Sequence, residues 1–310
     1  MENLKVNFLG KDFKNPVIPA SGTFGFGYEF SDLYDINILG SISIKGTTLE
    51  PRYGNKLPRI AECPSGLINA IGLQNPGVDK VVNEEIKKLA KVYKHQAIAN
   101  VGGHSIYEYV ETVKKFNECD EIFAVELNIS CPNVATGGAA FGMSCSAAHT
   151  ATKAVREVTK KPLIVKLTPQ SPELIEVALN CIKAGADGIS LCNSFQGVAI
   201  DIETGRPVFD KVKAGFGGPA VRPIAVRLVY ELVQAINQLP EEQRVPVIAI
   251  GGISCWQDVV EFIMAGATAV EVGTNTFANP MTMIECIQGL EDFMQRKGYK
   301  NINEMKGIAQ

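Results

Sequence analysis

The feature that most restricts this chain is an alternation, repeated eight times, of a short β-branched run and a longer segment of helical period. The runs are Pro16–Ser21, Ile38–Lys45, Gln96–Val101, Phe123–Ile129, Pro162–Leu167, Gly188–Cys192, Pro246–Ile250 and Ala269–Gly273. Helices are predicted over 27–36, 79–93, 105–118, 147–160, 172–184, 222–237, 256–265 and 281–296. Ser171-Pro172-Glu173 reads as an N-cap, a first-turn proline and an acidic start. Ala184-Gly185-Ala186 and Ala265-Gly266-Ala267 read as glycine helix ends. Units of this kind build a parallel sheet, because the chain needs a crossover helix to return to the same end of the sheet. Eight of them without a break in composition favour an α/β fold of the (β/α)8 TIM-barrel type over a doubly wound sheet, as one domain over residues 1–310.

Composition agrees with that volume of core. The 310 residues are 46% hydrophobic and 20% charged, enough apolar sequence for a filled barrel and an outer helix layer. A net charge of −3 argues against a nucleic-acid partner, which selects for basic chains. No apolar run reaches the roughly 18 residues that cross a bilayer, and Met1–Pro16 is too polar for a secretion signal. A cytoplasmic protein with no membrane contact is expected. The eight cysteines and three histidines are scattered, with no C-x-x-C pair, so neither a metal site nor an iron–sulfur cluster is expected on this chain. Most of the cysteines read as small buried hydrophobes.

In such a barrel the polar residue ending each strand points into the site at the carboxyl end of the sheet. In order these are Ser21, Lys45-Gly46, Asn100, Asn128, Lys166, Asn193-Ser194, Gly251-Gly252 and Gly273-Thr274. Two lysines and three asparagines thus converge on one mouth, and a lysine there costs desolvation unless it meets an anion or a charge partner. The glycines after the last two strands let backbone N–H groups approach an anion with no Cβ in the way, where barrels commonly bind phosphate. FMN fits better than a dinucleotide, because no G-x-G-x-x-G opens a helix after any strand. The connections 46–78 and 195–220, rich in Gly, Pro, Arg and Asn, read as loops over the same mouth.

Asn128-Ile129-Ser130-Cys131-Pro132-Asn133 leaves the fourth strand for a glycine-rich loop. Cys131 lacks companion metal ligands and a nearby histidine to activate it as a nucleophile, whereas a general base needs only a thiol in a polar, electropositive site. Asn128 and Asn133 flank it and can bind amide or carboxylate groups on a planar ring. Asn69-Ala70-Ile71-Gly72-Leu73 offers a side-chain amide and backbone N–H groups to a carboxylate, although by itself it equally reads as a plain turn.

With Ser43-Ile44-Lys45-Gly46 and Ile250-Gly251-Gly252-Ile253, these segments resemble the class 1 dihydroorotate dehydrogenases over essentially the whole chain. The loop from Cys131-Pro132-Asn133-Val134 to Gly137-Gly138 and Phe141-Gly142 is similar to the B subclass. The resemblance implies oxidation of dihydroorotate to orotate in pyrimidine biosynthesis, with one FMN per chain. Cys131 is then the base that takes the C5 proton while hydride passes from C6 to N5 of FMN. Asn69, Ala70, Ile71, Gly72, Leu73, Asn128, Asn133, Asn193 and Ser194 hold the substrate, and Lys45 stands between substrate and flavin. Ser21, Lys45, Gly46, Asn100, Asn128, Lys166, Cys192, Gly218, Gly251, Gly252, Gly273 and Thr274 form the FMN site, with Lys166 near the N1–C2 carbonyl edge. A homodimer is implied, extended to a heterotetramer by a partner subunit that carries FAD and a 2Fe–2S cluster and passes electrons to NAD. Ser194 stands where many B-type members have threonine, and Cys255 follows Ser254 where a small helix-capping residue is usual. The alternatives are a fumarate-linked A-type enzyme, a reductase similar to dihydropyrimidine dehydrogenase, and a non-catalytic binding barrel.

Overall fold

A computed structural model describes residues 2–130 and 141–310. The chain enters with an antiparallel hairpin, β1 (Val6–Phe8) and β2 (Lys11–Phe13), turning through Leu9 and Gly10 at φ +53° and +79°. Next come β3 (Val17–Pro19), the pair β4 (Ile60–Cys63) and β5 (Gly66–Asn69), β6 (Ala97–Val101), β7 (Ile122–Asn128), β8 (Leu163–Leu167) and β9 (Gly188–Leu191). Short strands β10 (Phe195–Gly197), β11 (Ile200–Asp201), β12 (Arg206–Pro207) and β13 (Ala214–Gly217) precede β14 (Val247–Ile250) and β15 (Ala269–Val272).

Seven strands form one parallel sheet in the order β3-β15-β14-β9-β8-β7-β6. Its strands are buried throughout, as a parallel sheet covered on both faces requires, and their β-branched and alanine residues fill the interior. The gap between β6 and β3 is bridged by residues 40–47. Ile44 N–H donates to Ile98 O at 3.0 Å and Ile98 N–H to Ile42 O at 2.8 Å, while on the other side Gly40 N–H donates to Val17 O at 3.0 Å. The sheet therefore curls into a TIM-type α/β barrel.

The predicted second strand, Ile38–Lys45, is thus an extended segment with isolated bridges, such as Ser43 to Ile98. A 3-10 turn, Ile36–Ile38, occupies its start, N-capped by Asp35 accepting from Asn37 N–H, and Lys45 N–H turns away to Gly25 O. The helix expected over 27–36 is likewise reduced to a 3-10 turn, Tyr28–Phe30, followed by hydrogen-bonded turns over 31–33, and Gly25 and Gly27 hold φ of +58° and +98°.

The other helices lie close to their predicted spans, from Ile106–Asn117 to Thr282–Lys297. The one expected over 79–93 is α-helical at Val78–Lys80 and Ile86–Val92 with a π turn, Val81–Glu85, between them. The expected Ser171 N-cap is not formed. The helix starts at Leu174 with Glu173 before it, and the buried Ser171 Oγ has no hydrogen-bond partner among the described residues. Gly185 and Gly266 end their helices at φ +100° and +105°, where a Cβ is strained. The polar tail closes beneath the barrel. Ile302 and Met305 are buried there, and Gly307 and Ala309 N–H groups donate to Ile263 O and Met264 O.

The connections expected as loops contain a second sheet. Strands β10, β13, β5 and β4 pair antiparallel in that order, with Asn69 opposite both Gly215 and Ile60. A small core of Ile68, Ala70, Phe209 and Ala214 supports it. Its strands approach closely at the end near the barrel, because a Cβ at Gly218, φ +122°, falls 2.5 Å from Gly66 Cα. Among the described residues, no helix is long and apolar enough to cross a membrane.

Candidate active site

The carboxyl ends of the barrel strands and the small antiparallel sheet above them enclose a cavity of about 550 Å³, a usual size for a small-molecule or cofactor site. Every described residue that the sequence nominated lines it. Ser21, Lys45, Gly46, Asn100, Asn128, Lys166, Cys192, Asn193, Ser194, Gly251, Gly252, Gly273 and Thr274 come from the barrel side. Asn69, Ala70, Ile71, Gly72, Leu73 and Gly218 come from the connections. Cys131 and Asn133 lie outside the described residues.

The last two strand ends are shaped by backbone. Gly251 and Gly252 adopt φ of +129° and +81°, and a Cβ at Gly252 falls 2.5 Å from Arg222 N, the start of helix Arg222–Asn237. Only glycine lets the turn lie flat against that helix start. The turn is clamped from behind by the buried Asp258, which accepts from Ser254 N–H at 2.8 Å, Ser254 Oγ at 2.9 Å and Cys255 N–H at 3.1 Å, and pairs with Arg222. Cys255 at the N-cap thus does not weaken the helix start, because Asp258 supplies the return bond. Across the cavity wall, a Cβ at Gly217 meets Thr274 Oγ1 at 2.5 Å, so the second sheet rests directly on the eighth strand end.

The asparagines are fixed by short links. Asn193 Nδ2 donates to Asn128 Oδ1 at 3.3 Å, and Ser194 N–H donates to Asn193 Oδ1 at 2.7 Å. Asn69 Nδ2 donates to Gly215 O at 3.3 Å, which ties the first connection to the second. Asn100 Nδ2 donates to Glu126 Oε2 at 2.5 Å, and its Oδ1 is buried against Gly46 with no partner among the described residues.

The two lysines differ. Among the described residues Lys45 Nζ reaches only Gly22 O, at 3.4 Å, and burial lowers its pKa. Of the two ways to offset the desolvation of Lys166, an anion or a charge partner, the barrel itself supplies the second. Its Nζ stands 2.9 Å from Glu271 Oε2 and 3.4 Å from Glu126 Oε2, all three residues being buried. Burial alone lowers the Lys166 pKa; the charges of Glu126 and then Glu271 outweigh it, so the net shift is upward. Glu126 and Glu271 were missed in the sequence, although each interrupts an apolar strand, Val125-Glu126-Leu127 and Val270-Glu271-Val272. An acid in such a position needs a buried partner. Burial pushes the Cys192 thiol up to about 12, so it is a neutral wall residue.

Fold and site together define an α/β-barrel enzyme with its chemistry at the carboxyl ends of the strands. The chain belongs to the dihydroorotate dehydrogenase family, whose model, described as dihydroorotate dehydrogenase, matches residues 3–294. It is 48% identical to the "Dihydroorotate dehydrogenase B (NAD(+)), catalytic subunit" of Petrotoga mobilis, covering 99% of this chain and 100% of that one. The proteins of the same name from Bacteroides thetaiotaomicron and Malacoplasma penetrans are 47% and 46% identical, each covering at least 97% of both chains.

Proposed function

We propose that this chain oxidises dihydroorotate to orotate for pyrimidine biosynthesis, with one FMN as the resident electron acceptor. The observation that carries the reading is the convergence of four asparagines, two lysines and two glycine-rich strand ends on one cavity of about 550 Å³. Several features of the cavity suit FMN. The Gly251-Gly252 and Gly273-Thr274 turns suit a phosphate, the unpartnered Asn100 Oδ1 suits a ring N–H, and Lys166 suits a carbonyl edge that gains negative charge. FMN when bound supplies a two-electron acceptor for hydride.

The chain's own residues bind, orient and deprotonate. Asn69, Asn128, Asn133 and Asn193 present amides to a flat ring bearing carbonyl, N–H and carboxylate groups; the Asn193–Asn128 hydrogen bond and that of Asn69 to Gly215 O hold those three in one orientation before binding. Ser194 adds a hydroxyl, and residues 70–73 add backbone N–H groups. Lys45, whose ammonium is desolvated and has no acidic partner among the described residues, is suited to an anionic substrate. Cys131 takes the C5 proton, and its loop leaves the strand that carries Asn128. The second sheet covers the ring and excludes water.

The single barrel domain works, on this reading, as a cytoplasmic homodimer. The relatives' name, catalytic subunit, supports a second subunit linked to NAD; on this reading that subunit carries FAD and a 2Fe–2S cluster and delivers the electrons. Purified chain is expected to be yellow and to bleach on adding dihydroorotate but not dihydrouracil, with NAD reduced only when the partner is present. Colourless protein that cannot be loaded with FMN overturns the reading. Bleaching by dihydrouracil instead marks a pyrimidine reductase, and rapid reoxidation by fumarate marks the A-type alternative.

A further inference from the structure

Two buried acids in the barrel wall have no part in the reaction just described. Glu126 lies on β7 and Glu271 on β15, and both face Lys166 on β8. Two carboxylates with one ammonium leave a net negative charge inside the barrel, and a buried charge without compensation is expensive. The surrounding donors decide which acid stays ionised. Glu126 accepts from Ser190 Oγ at 2.6 Å, Asn100 Nδ2 at 2.5 Å and Ser43 Oγ at 3.4 Å, in addition to Lys166. Glu271 accepts from Lys166 through Oε2, and its buried Oε1 has no hydrogen-bond partner among the described residues. A carboxylate with four donors keeps its charge; one with a single donor, beside another acid, gives it up.

We infer that Glu126 and Glu271 are positioning residues for Lys166, Glu126 as its ionised counter-ion and Glu271 as a neutral carboxylic acid. Lys166 then reaches the cavity wall as part of a charge-balanced triad. The charged groups that face Glu271 among the described residues are Glu126 and Lys166. Burial, and after it Glu126, push its pKa up to about 8, with Lys166 offsetting part of the rise. For Glu126 burial acts upward, but Lys166, Ser190 and Asn100 outweigh it and the net shift is downward. Above neutral pH the triad gains a negative charge. The protonation state stands on the chain's own groups, while its effect on a flavin rests on the function proposed above.

The test uses the full chain and two near-isosteric substitutions. At pH 7 ordinary carboxyls are ionised, so an infrared band from a protonated carboxyl reports a buried acid. One such band is expected in the unsubstituted chain and none in Glu271→Gln. The Glu271→Gln chain should melt within about 2 °C of the parent, since glutamine copies a neutral acid, whereas Glu126→Gln, which strips Lys166 of its counter-ion, should melt well below it. With FMN loaded, the flavin midpoint potential of the parent and of Glu271→Gln should agree below about pH 7. It should then fall more steeply in the parent above the Glu271 pKa of about 8. A purely structural role would leave the two potential curves superimposed at every pH. The inference is overturned if the band survives in Glu271→Gln, if that variant melts as low as Glu126→Gln, or if the curves never part. A chain that binds no flavin overturns the functional reading instead, and the infrared result still judges the triad.

Discussion

Replacing Gly273 by alanine separates what the fold needs from what a ligand needs. A Cβ at Gly273 meets nothing nearer than Ala20 Cβ at 3.6 Å, an ordinary contact, and the residue is not among the glycines of positive φ. Alanine there also narrows the unfolded ensemble, so the flavin-free chain should be unchanged or more stable by up to about 1 kcal/mol. Gly252→Ala is the opposite case. Its φ of +81° costs roughly 1–2 kcal/mol in an L residue, and its Cβ, 2.5 Å from Arg222 N, adds about 1–3 kcal/mol of overpacking. The free Gly252→Ala chain should therefore lose roughly 2–5 kcal/mol. If the phosphate of FMN lies against both turns, the Gly273 methyl takes the space of a charge-assisted hydrogen bond worth about 1.5–3 kcal/mol, weakening FMN roughly 10- to 150-fold. Calorimetry of flavin-free protein gives the first number and fluorescence titration the second. Riboflavin, which lacks the phosphate, is the control and should bind parent and Gly273→Ala alike. The reasoning is refuted if Gly273→Ala binds FMN as the parent does, or if riboflavin weakens by the same factor.

Lys45→Met should abolish flavin reduction by dihydroorotate yet raise the melting temperature of the free chain by about 1–3 °C, because the native fold lowers this lysine's pKa by burial. The native state holds fewer protons there than the unfolded chain, so the parent gains stability as pH rises and the difference from Lys45→Met should narrow in alkaline buffer. Asp258→Asn should destabilise the chain by about 1–3 kcal/mol at pH 7 in a denaturant titration, by loosening the turn after Gly252. The Asp258 pKa lies below its ordinary 3.8, so its contribution is present above that pH and disappears as pH falls through the lowered value. The penalty of the variant should shrink correspondingly in acid. Cys131→Ser should move the pH dependence of flavin reduction to higher pH, since a hydroxyl is far less acidic than a thiol. An unmoved profile in stopped-flow measurements would remove Cys131 as the base.

The barrel was legible because burial on both faces writes itself into parallel strands as largely apolar, β-branched runs, and seven of the eight runs are strands. The eighth, Ile38–Lys45, has the same composition and the same place in the barrel, yet Asp35 and Gly25 draw its two ends into other hydrogen bonds. Composition cannot report such competition. The antiparallel sheet over the mouth was hidden for a related reason. Its strands, 3–4 residues long, are too short for a period to show, and what holds them is contact between residues as distant as Asn69 and Gly215.

The site was more legible than the fold around it, because a barrel fixes where strand ends point whatever the loops do. That argument reaches only the rim. One layer down, Glu126 and Glu271 sit in the middle of strands, where a rule based on termini passes over them. The signal was nevertheless present in two acids that interrupt otherwise apolar runs. A buried acid calls for a buried cation, and Lys166 was the one lysine inside a barrel strand run other than Lys45. The cost of desolvating Lys166 calls for an anion or a charge partner, and the same cost applied to all three residues predicts that they meet. Lys166 is thus held by the barrel before any ligand arrives, and its contribution to the cavity is a fixed charge whose balance is set from beneath.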